Sequence, residues 1–397
     1  MILYNPISDE IFSMIEHYTQ DVNLDIKKVY VYIDIQNFNT AVSDIGVENY
    51  VNSVGFDQVF NEILFMVNRI LVEFWKVGFE CHVFIYTDIK RNIFNTNLIN
   101  SWKENRKKSF SELKENEILS HDAQKFMNSM LKHSLKALKH LVNYSRNMTI
   151  CILENIDSDF VPRIVKEFVI DRTDILHLIL SSDHDYTHLI NDPYTIRYSN
   201  IYKRYYKNFP SLETIYNKNI FLKKKEDIKT DEDAIKVANY YQIFHALGGD
   251  SSDDVKPMIP RTGLKKWAKK VSFDKPVDEI IDLILDNNYT FENVNQMDLI
   301  RRLLIVDFRL TAYLIFNSIN PNEKYNKVFS ILNKVCPQNC EVIRQNANIV
   351  KSTIMKPREL VVFNAISGRF KIRGDYLDKL WITEPFKYID SIINRQQ

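Results

Sequence analysis

Four short apolar runs of the sequence each end on an acidic residue, and these acids are the strongest indication of chemistry in the chain. They are Asp34, Asp88, Glu154 and Asp183. The carboxyl ends of parallel strands lie along one edge of a sheet, so these side chains would converge there. Gathered carboxylates raise each other's pKa unless a cation compensates. All-oxygen clusters suit Mg2+ or Mn2+, although any single acid at a strand end can instead cap a helix.

The runs themselves predict the sheet that would position the acids. They are β-branched, continuous rather than alternating, and separated by helical stretches, which is typical of buried parallel strands in an α/β fold. A wide apolar stripe over 56–74 predicts a helix packed on this sheet, and another helix is expected after Asp159. The predicted strands are 29–34, 82–88, 148–154 and 175–183.

A second acid follows the fourth strand closely. Asp183 and Asp185 are two residues apart beyond the strand end, so both can face a shared metal site. His184 and His188 are further candidates as ligands. An oxygen-rich site does not need imidazole, however, and exposed loop histidines are common.

An acidic turn and a lysine-rich helix start lie in the second half of the chain. The turn spans 249–254, contains Asp250 and Asp253, and follows a helix expected over 231–247. Further on, 258–266 combines a tight turn with the start of a helix, where backbone amides and lysines can meet a phosphate. The residues expected to contact DNA there are Arg261, Gly263, Lys265 and Lys266.

Residues 100–146 are highly charged and helical in pattern. One face of this helix carries lysines and another carries Met127, Leu131 and Leu135. Two interpretations stay open: a solvated amphipathic helix, or a basic helix beside a nucleic-acid channel. Under the second, the residues expected to bind DNA are Lys107, Lys108, Lys132 and Lys136.

Composition narrows the class of protein. The chain has 397 residues, 26% of them charged, and a formal net charge of +1, which excludes a globally basic coat. No apolar run approaches the ~20 residues of a membrane span, and the N-terminus lacks the features of a signal peptide. Cys81 and Cys151 lie in apolar runs, while Cys336 and Cys340 have no second pair for zinc. We therefore expect a cytoplasmic protein with reduced thiols.

Taken in order, these motifs resemble those of the flap endonuclease / 5′→3′ exonuclease family over roughly residues 27–270. Gly249–Asp254 is similar to its Gly-Asp-x-Ser-Asp-Asn turn, and Met258–Trp267 to its helix–turn–helix element. Trp102–Arg106 resembles its Tyr-Lys-x-x-Arg element. The Asp-x-Asp after the fourth strand, and the acids of the first and second strands, match as well.

Two of these motifs depart from the family pattern. Arg261 stands where the helix–turn–helix element has its first glycine. In the acidic motif after the third strand, Asp159 aligns with the last aspartate, but Ile156 and Ser158 replace the other two acids. Glu154 or Asp157 would have to take over, so the register of this metal position is open.

The resemblance implies an α/β, PIN-like core with a central, mainly parallel sheet flanked by helices. Residues 1–230 would form the metal-dependent nuclease core, within which 100–146 would be a helical arch or clamp. Residues 231–275 would hold the acidic turn and a helix–3-turn–helix element that grips duplex DNA. Residues 276–397 would form a helical C-terminal extension, in which we find no chemistry.

The same resemblance implies a phosphodiesterase that uses two Mg2+ or Mn2+ ions for an in-line displacement. Lys103 and Arg106 would contact the scissile phosphate, and K+ would bind at the helix–3-turn–helix element. Asp183 would lie between the two ions. The first ion would be held by Asp34, Asp88 and Asp159 with Glu154 or Asp157, and the second by Asp185, Asp250 and Asp253.

The expected substrate is a DNA or RNA/DNA duplex with a 5′ end or flap, and the protein would cut it in replication or repair. RNA primers would be among its substrates. A Lys/Asn/Ile-rich composition suggests a phage or other virus, and replication proteins would be partners of the C-terminal region. Two alternatives stay open. Ile33–Asn37 is similar to the opening strand of NYN/PIN ribonucleases. The altered third motif would also fit a DNA-binding replication accessory protein without catalysis.

Overall fold

The computed structural model describes fourteen stretches of the chain. They comprise residues 10–21, 24–35, 56–88, 92–103, 115–142, 147–169, 172–181, 183–190, 194–199, 204–206, 245–250, 253–259, 294–321 and 323–354. Most of the helix expected over 231–247 and most of the helix–turn–helix expected over 258–267 lie outside the described residues.

A six-stranded sheet forms the centre of the molecule, with the strand order β3-β2-β1-β4-β5-β6. The pairings among β1, β2, β3 and β4 are parallel, as predicted. Strand β5 is also parallel to β4, and β6 pairs with β5 in the antiparallel direction at one edge. The strands are β1 (Lys28–Asp34), β2 (Glu80–Tyr86), β3 (Met148–Cys151), β4 (Ile175–Leu180), β5 (Thr195–Ser199) and β6 (Arg204–Tyr206).

Three strands end earlier than the sequence predicted. Strands β2, β3 and β4 end two or three residues before Asp88, Glu154 and Asp183, because the chain turns away from the sheet there. After β4, for example, the chain enters the 3-10 turn His184–Leu189, which the carboxylate of Asp183 caps. Strands β5 and β6 were not predicted.

Helices cover both faces of the sheet. The helix predicted over 56–74 is present as Phe56–Lys76, and the one expected after Asp159 begins at Val161. In the described parts of the chain no helix is both long and apolar enough to cross a membrane. The helices are α1 (Glu10–Asp21), α2 (Phe56–Lys76), α3 (Ile93–Leu98), α4 (Glu115–Val142), α5 (Val161–Phe168), α6 (Gln296–Val306), α7 (Phe308–Ile319), α8 (Glu323–Val335) and α9 (Gln338–Thr353).

The two faces of the sheet belong to different hydrophobic cores. Successive side chains of a strand point to opposite faces. In β1, Val29, Val31 and Ile33 enter an apolar core that α1, α2 and α4 complete. Tyr32 enters the other core, which contains α5 and the C-terminal helices α6 to α9.

The second face is aromatic and polar. Tyr32 stacks between Phe84 and His177, with ring centroids 5.3 and 5.8 Å away, and its hydroxyl is 2.7 Å from Nδ1 of His177. His82 Nε2 lies 2.9 Å from the hydroxyl oxygen of Thr149 in β3, the strand adjacent to β2. These hydrogen bonds satisfy polar atoms that would otherwise be costly to bury.

The C-terminal helices pack into the same core as the sheet. Helix α7 contacts α5 and α9, and α9 contacts β3. Phe308, Leu314 and Val350 are buried in this core together with Tyr32 and Phe84 of the strands. The described part of the C-terminal extension therefore contributes to the stability of the sheet.

Truncating Leu314 tests this shared core. Leu314 is fully buried, so we expect Leu314→Ala to lower the free energy of unfolding by about 2–5 kcal/mol. Met297, 39% exposed in the same extension, is the control, and Met297→Ala should change it by no more than about 0.5 kcal/mol. The measurement is denaturant unfolding followed by circular dichroism. Two separate transitions, with only one shifted by Leu314→Ala, would contradict a shared core.

Candidate metal centre

Carboxylates from four strand ends lie along the carboxyl edge of the sheet. Asp34 is the last residue of β1 and is opposite Tyr86 of β2, and Asp88 follows two residues beyond that strand. Asp157 and Asp159 belong to the turn after β3, and Asp183 and Asp185 to the turn after β4. The parallel topology thus brings acids from distant parts of the sequence to one rim.

The turn after β3 is tied to the end of β2. Ser158 donates its backbone N–H to Oδ1 of Asp88 at 2.8 Å and its hydroxyl to the carbonyl of Thr87 at 2.8 Å. Asp157 caps the turn by accepting from the N–H of Asp159 at 3.2 Å. Ser158 therefore holds Asp88 in position.

A pair of tyrosines joins the turns after β3 and β4. The hydroxyl of Tyr186 donates to Oδ1 of Asp159 at 2.6 Å, and the hydroxyl of Tyr86 is 2.8 Å from that of Tyr186. Asp183 accepts the N–H of Asp185 at 3.0 Å, and its carbonyl accepts from the buried guanidinium of Arg197. The orientation of both turns is thus set by hydrogen bonds from buried side chains.

The acidic turn 249–254 is closed by backbone hydrogen bonds. Asp250 donates to the carbonyl of Val255 at 2.9 Å, and Val255 donates back to Asp250 at 2.8 Å. Gly249 has φ +71°, and a Cβ there would lie 2.4 Å from the carbonyl oxygen of Val255. Only glycine fits this position, and it fixes Asp250 beside the turn.

Lys103 lies between the acidic turn and the turn after β3. Its ammonium is 3.7 Å from Oδ2 of Asp157 and 3.8 Å from Oδ1 of Asp253. Its backbone N–H donates to the carbonyl of Asp253 at 3.0 Å, and its φ is +50°. The ammonium also lies 4.9 Å from the centre of the Trp102 ring, which limits where it can move.

The electrostatics divide the carboxylates into two groups that share Asp183. Burial, and then the charge of Asp157, raises the pKa of Asp88 to about 7. Burial also raises the pKa of Asp159, with added repulsion that includes Asp183. The pKa of Asp185 is raised by burial, then by Asp183 and by the acids of the 249–254 turn. Such mutual repulsion is what a bound cation relieves.

The structure distinguishes the two candidates for the third motif. Asp157 is among the charges that raise the pKa values of Asp88 and Asp159 most strongly, and it contacts Lys103. The backbone N–H and carbonyl of Glu154 are held by Asn346 of α9. Asp157 is therefore the better placed of the two to join the first carboxylate group.

A residue of the C-terminal region holds the segment that leads into this turn. The side-chain amide of Asn346, in α9, accepts from the N–H of Glu154 at 2.9 Å and donates to its carbonyl at 2.8 Å. Asn339 similarly donates to the carbonyl of Phe94 at 3.0 Å and accepts from Asn97 at 2.8 Å. No local sequence pattern predicts these contacts, because their partners are about 190 to 245 residues away.

Phe308 packs against aromatic side chains that adjoin the site. The centroid of its ring lies 5.0 Å from the ring centroid of Phe160 and 5.8 Å from that of Tyr186. It also lies 4.7 Å from the ring of His188. His188 is buried, so the expectation of an exposed loop histidine was wrong, and burial lowers its pKa to about 3.

Two of the predicted DNA-binding lysines lie in helix α4, and they differ in burial. The predicted apolar face with Leu131 and Leu135 is present, and it packs on α2 and β3. Lys136 is exposed, while Lys132 is half-buried and close enough to the rim for Asp88 to act on its pKa, which burial lowers. The other predicted DNA- and phosphate-contacting residues lie outside the described residues: Arg106, Lys107, Lys108, Arg261, Gly263, Lys265 and Lys266.

One histidine beside the acids was not predicted. His245 precedes the acidic turn, and its Nδ1 is 3.8 Å from Oδ2 of Asp250. One ligand atom each from Asp185, His245 and Asp250 lies within 4.8 Å of the other two. Among the described residues this is the group of three with spacing suited to a metal ion. Its oxygen and nitrogen donors fit a divalent cation.

No protein-family model matches the chain, and no curated protein matches it in sequence. Solved structures do match in fold. A variant flap endonuclease of bacteriophage T5, in a pseudo-enzyme–product complex with DNA and metal ions, is 13% identical with a TM-score of 0.49, covering 78% of this chain and all (100%) of its own. The T5 5′-exonuclease with bound zinc is 14% identical with a TM-score of 0.49, covering 80% of this chain and 100% of its own. Both matches combine a low sequence identity with a TM-score of 0.49.

The raised pKa of Asp88 predicts how stability depends on pH. The folded protein holds this proton more tightly than the unfolded chain, so protonation favours folding below the folded pKa. In EDTA, we expect the free energy of unfolding to rise as the pH falls from roughly 8 to 5, and saturating Mg2+ to flatten that rise. Denaturant titrations across this range measure both.

Two variants test whether this pH dependence arises from the carboxylates at the edge of the sheet. Asp88→Asn should reduce the pH dependence in EDTA, because it removes one of the protons taken up on folding. Asp25 is exposed and precedes the opposite end of β1, so Asp25→Asn should leave the dependence unchanged. A stability that falls steadily between roughly pH 8 and pH 5 in EDTA would refute the assignment.

Removing the Asn346 side chain tests the support from α9. Asn346→Ala leaves the N–H and the carbonyl of Glu154 without this partner, so we expect it to lower the free energy of unfolding by about 1–3 kcal/mol. Asn348, exposed on the same helix, is the matched control, and Asn348→Ala should change it by no more than about 0.5 kcal/mol. Equal effects of the two substitutions would count against a specific role for Asn346.

Proposed function

We propose that this protein is a divalent-metal-dependent, structure-specific 5′-nuclease, acting as a 5′→3′ exonuclease or flap endonuclease. The observation that supports it most is the pair of carboxylate groups that share Asp183, with Lys103 between them. A site with so many acids and one adjacent lysine suits the binding of cations and of a negatively charged substrate at the same place.

Two ions are proposed at this rim. The first would be held by Asp34, Asp88, Asp157 and Asp159, with Asp157 preferred over Glu154 because of its contacts. The second would be held by Asp185, Asp250 and Asp253, and Asp183 would lie between the two. Mg2+ or Mn2+ at such a site supplies Lewis acidity, which lowers the pKa of water and stabilises negative charge at phosphorus.

The residues of the chain contribute orientation and charge. Lys103 would place its ammonium against the scissile phosphate, since it already bridges the two groups through Asp157 and Asp253. Tyr186 would keep Asp159 turned toward the rim through its hydrogen bond. Ser158 would do the same for Asp88. Arg106 would join Lys103 at the phosphate.

Duplex binding is proposed to involve the elements around this rim. Residues 100–146 would form a helical arch in which Lys107, Lys108, Lys132 and Lys136 follow the strand. Within 231–275, the element around Arg261, Gly263, Lys265 and Lys266 would grip the backbone without reading bases, with K+ bound there. Residues 276–397 would support the 1–230 core and offer a surface to replication proteins.

The finer biology is proposed on the motifs alone. The substrate would be DNA with a 5′ flap or end, including RNA primers paired to DNA, in the replication of a phage or other virus, in the cytoplasm of its host. A ribonuclease of the NYN/PIN type is the second candidate, favoured by residues 33–37. A non-catalytic DNA-binding accessory protein is the third, favoured by the replaced acids at Ile156 and Ser158.

Asp183→Asn tests catalysis at the shared carboxylate. The amide oxygen can still accept the N–H of Asp185, so we expect the turn to keep its fold. Cleavage of a 5′-flapped duplex with Mg2+ or Mn2+ should fall by a factor of at least about 100, as for other lost electrostatic groups at active sites. Duplex binding should persist, because the change removes a negative charge that faces the phosphates.

The matched control is Asp25→Asn, at the opposite edge of the sheet, which should cleave at the wild-type rate. DNA, RNA/DNA and single-stranded RNA substrates, each with EDTA as a blank, separate the three candidates. Cutting of the single-stranded RNA but of neither duplex would favour the ribonuclease, and binding without any metal-dependent cutting would favour the accessory protein. Full activity of Asp183→Asn would contradict the proposed role of Asp183.

A further inference from the structure

An imidazole lies within the acidic rim, at the side of the second carboxylate group. The ligand atoms of Asp185, His245 and Asp250 are all within 4.8 Å of one another. Two carboxylate oxygens and one imidazole nitrogen at this spacing can reach a common ion. The side chain of His245 is 26% exposed, so it is accessible to an ion from solvent.

The position of His245 is set by a tightly built segment. The N–H of Gly249 donates to the carbonyl of His245 at 3.0 Å and closes the last helical turn before the acidic turn. Ala246 and Leu247 are fully buried next to it. The carbonyl of Leu247 accepts from Met258 at 2.8 Å, which fastens the start of this segment to its end.

Helix α6 fixes the same segment from the C-terminal region. The guanidinium of Arg302 donates to the carbonyl of Ala246 at 3.2 Å and also to the carbonyl of Lys256. It therefore spans the two ends of the acidic turn. With Gly249 unable to accept a side chain, the backbone has little freedom to move His245 away from Asp250.

The donor set bears on which metal binds. Mg2+ prefers oxygen ligands and an octahedral shell of carboxylates and waters. Imidazole nitrogen binds first-row transition ions better, and their affinity for mixed nitrogen and oxygen sites increases along the series from Mn2+. A histidine in an otherwise all-carboxylate site therefore shifts selectivity from Mg2+ toward transition ions.

We infer that His245 is a direct ligand of the second metal, together with Asp185 and Asp250, and that it makes this site selective for a first-row transition ion over Mg2+. The inference rests on the proposed metal-dependent function and specifies the metal of that same site. The competing explanation is that His245 and Asp250 form an ion pair that stabilises the turn and binds no metal.

Pulsed electron paramagnetic resonance of the full-length protein loaded with Mn2+ distinguishes the two. A directly bound imidazole produces modulation from its nitrogen nucleus in the Mn2+ echo. We expect this modulation in the wild type and its loss in His245→Asn. His121 is the matched control: its Nδ1 is 3.6 Å from Asp122 on the exposed face of α4, and His121→Asn should keep the modulation.

Calorimetric titrations of the metal-free protein give an independent measure. His245→Asn should weaken Mn2+ binding by about tenfold or more, the scale of changes near metal ligands. The amide oxygen can still serve a hard cation, so Mg2+ affinity should change by no more than about threefold. An unchanged ratio of Mn2+ to Mg2+ affinity would overturn the inference.

The outcomes also separate this inference from the proposed function. Bound Mn2+ and flap cleavage without nitrogen modulation in the wild type would refute His245 as a ligand and leave the nuclease proposal standing. Absence of any Mn2+ binding would refute both. The wild-type spectrum decides the matter even if His245→Asn folds poorly, and unfolding curves of each variant check that point.

Discussion

Repulsion among half-buried carboxylates is the constraint on which the rest of this structure depends. Parallel strands leave their carboxyl ends at one edge, and here that edge collects acids from four turns. Burial and like charges raise the pKa values of Asp88, Asp159 and Asp185. Folding has to hold these groups together against their mutual repulsion, and it does so with hydrogen bonds from Ser158 and Tyr186. Such an arrangement is costly for a purely structural rim and useful for one that binds cations.

The C-terminal helices help to hold the acidic turns together against this repulsion. Asn346 pairs with both backbone polar groups of Glu154, and Arg302 spans the ends of the acidic turn. Phe308 packs against Tyr186, which itself donates to Asp159. The support is indirect, since these residues act on the backbone and on neighbouring rings. It explains why a region without chemical motifs is buried in the same core as the strands.

The sheet could be predicted because its signals are local. Continuous β-branched runs and a helical stripe over 56–74 identified four strands and a crossover helix. The acids were found for the same reason, as each follows its strand within a few residues. The strand ends were predicted too late, because the chain leaves the sheet two or three residues before Asp88, Glu154 and Asp183. It then enters turns, two of which are capped by Asp157 and Asp183. Strands β5 and β6 were missed because both are short. In β5 the buried Arg197 also interrupts the apolar pattern.

The sequence by itself determined which residues reach the carboxyl edge, since strand order along the chain and parallel pairing leave little choice. Only the tertiary structure decided how they are grouped. The preference for Asp157 over Glu154 came from its ion pair with Lys103 and its charge interaction with Asp88, and the place of His245 came from its proximity to Asp185. Those interactions join residues tens of positions apart. No local pattern encodes them, because their geometry depends on how turns and helices from different parts of the chain pack together.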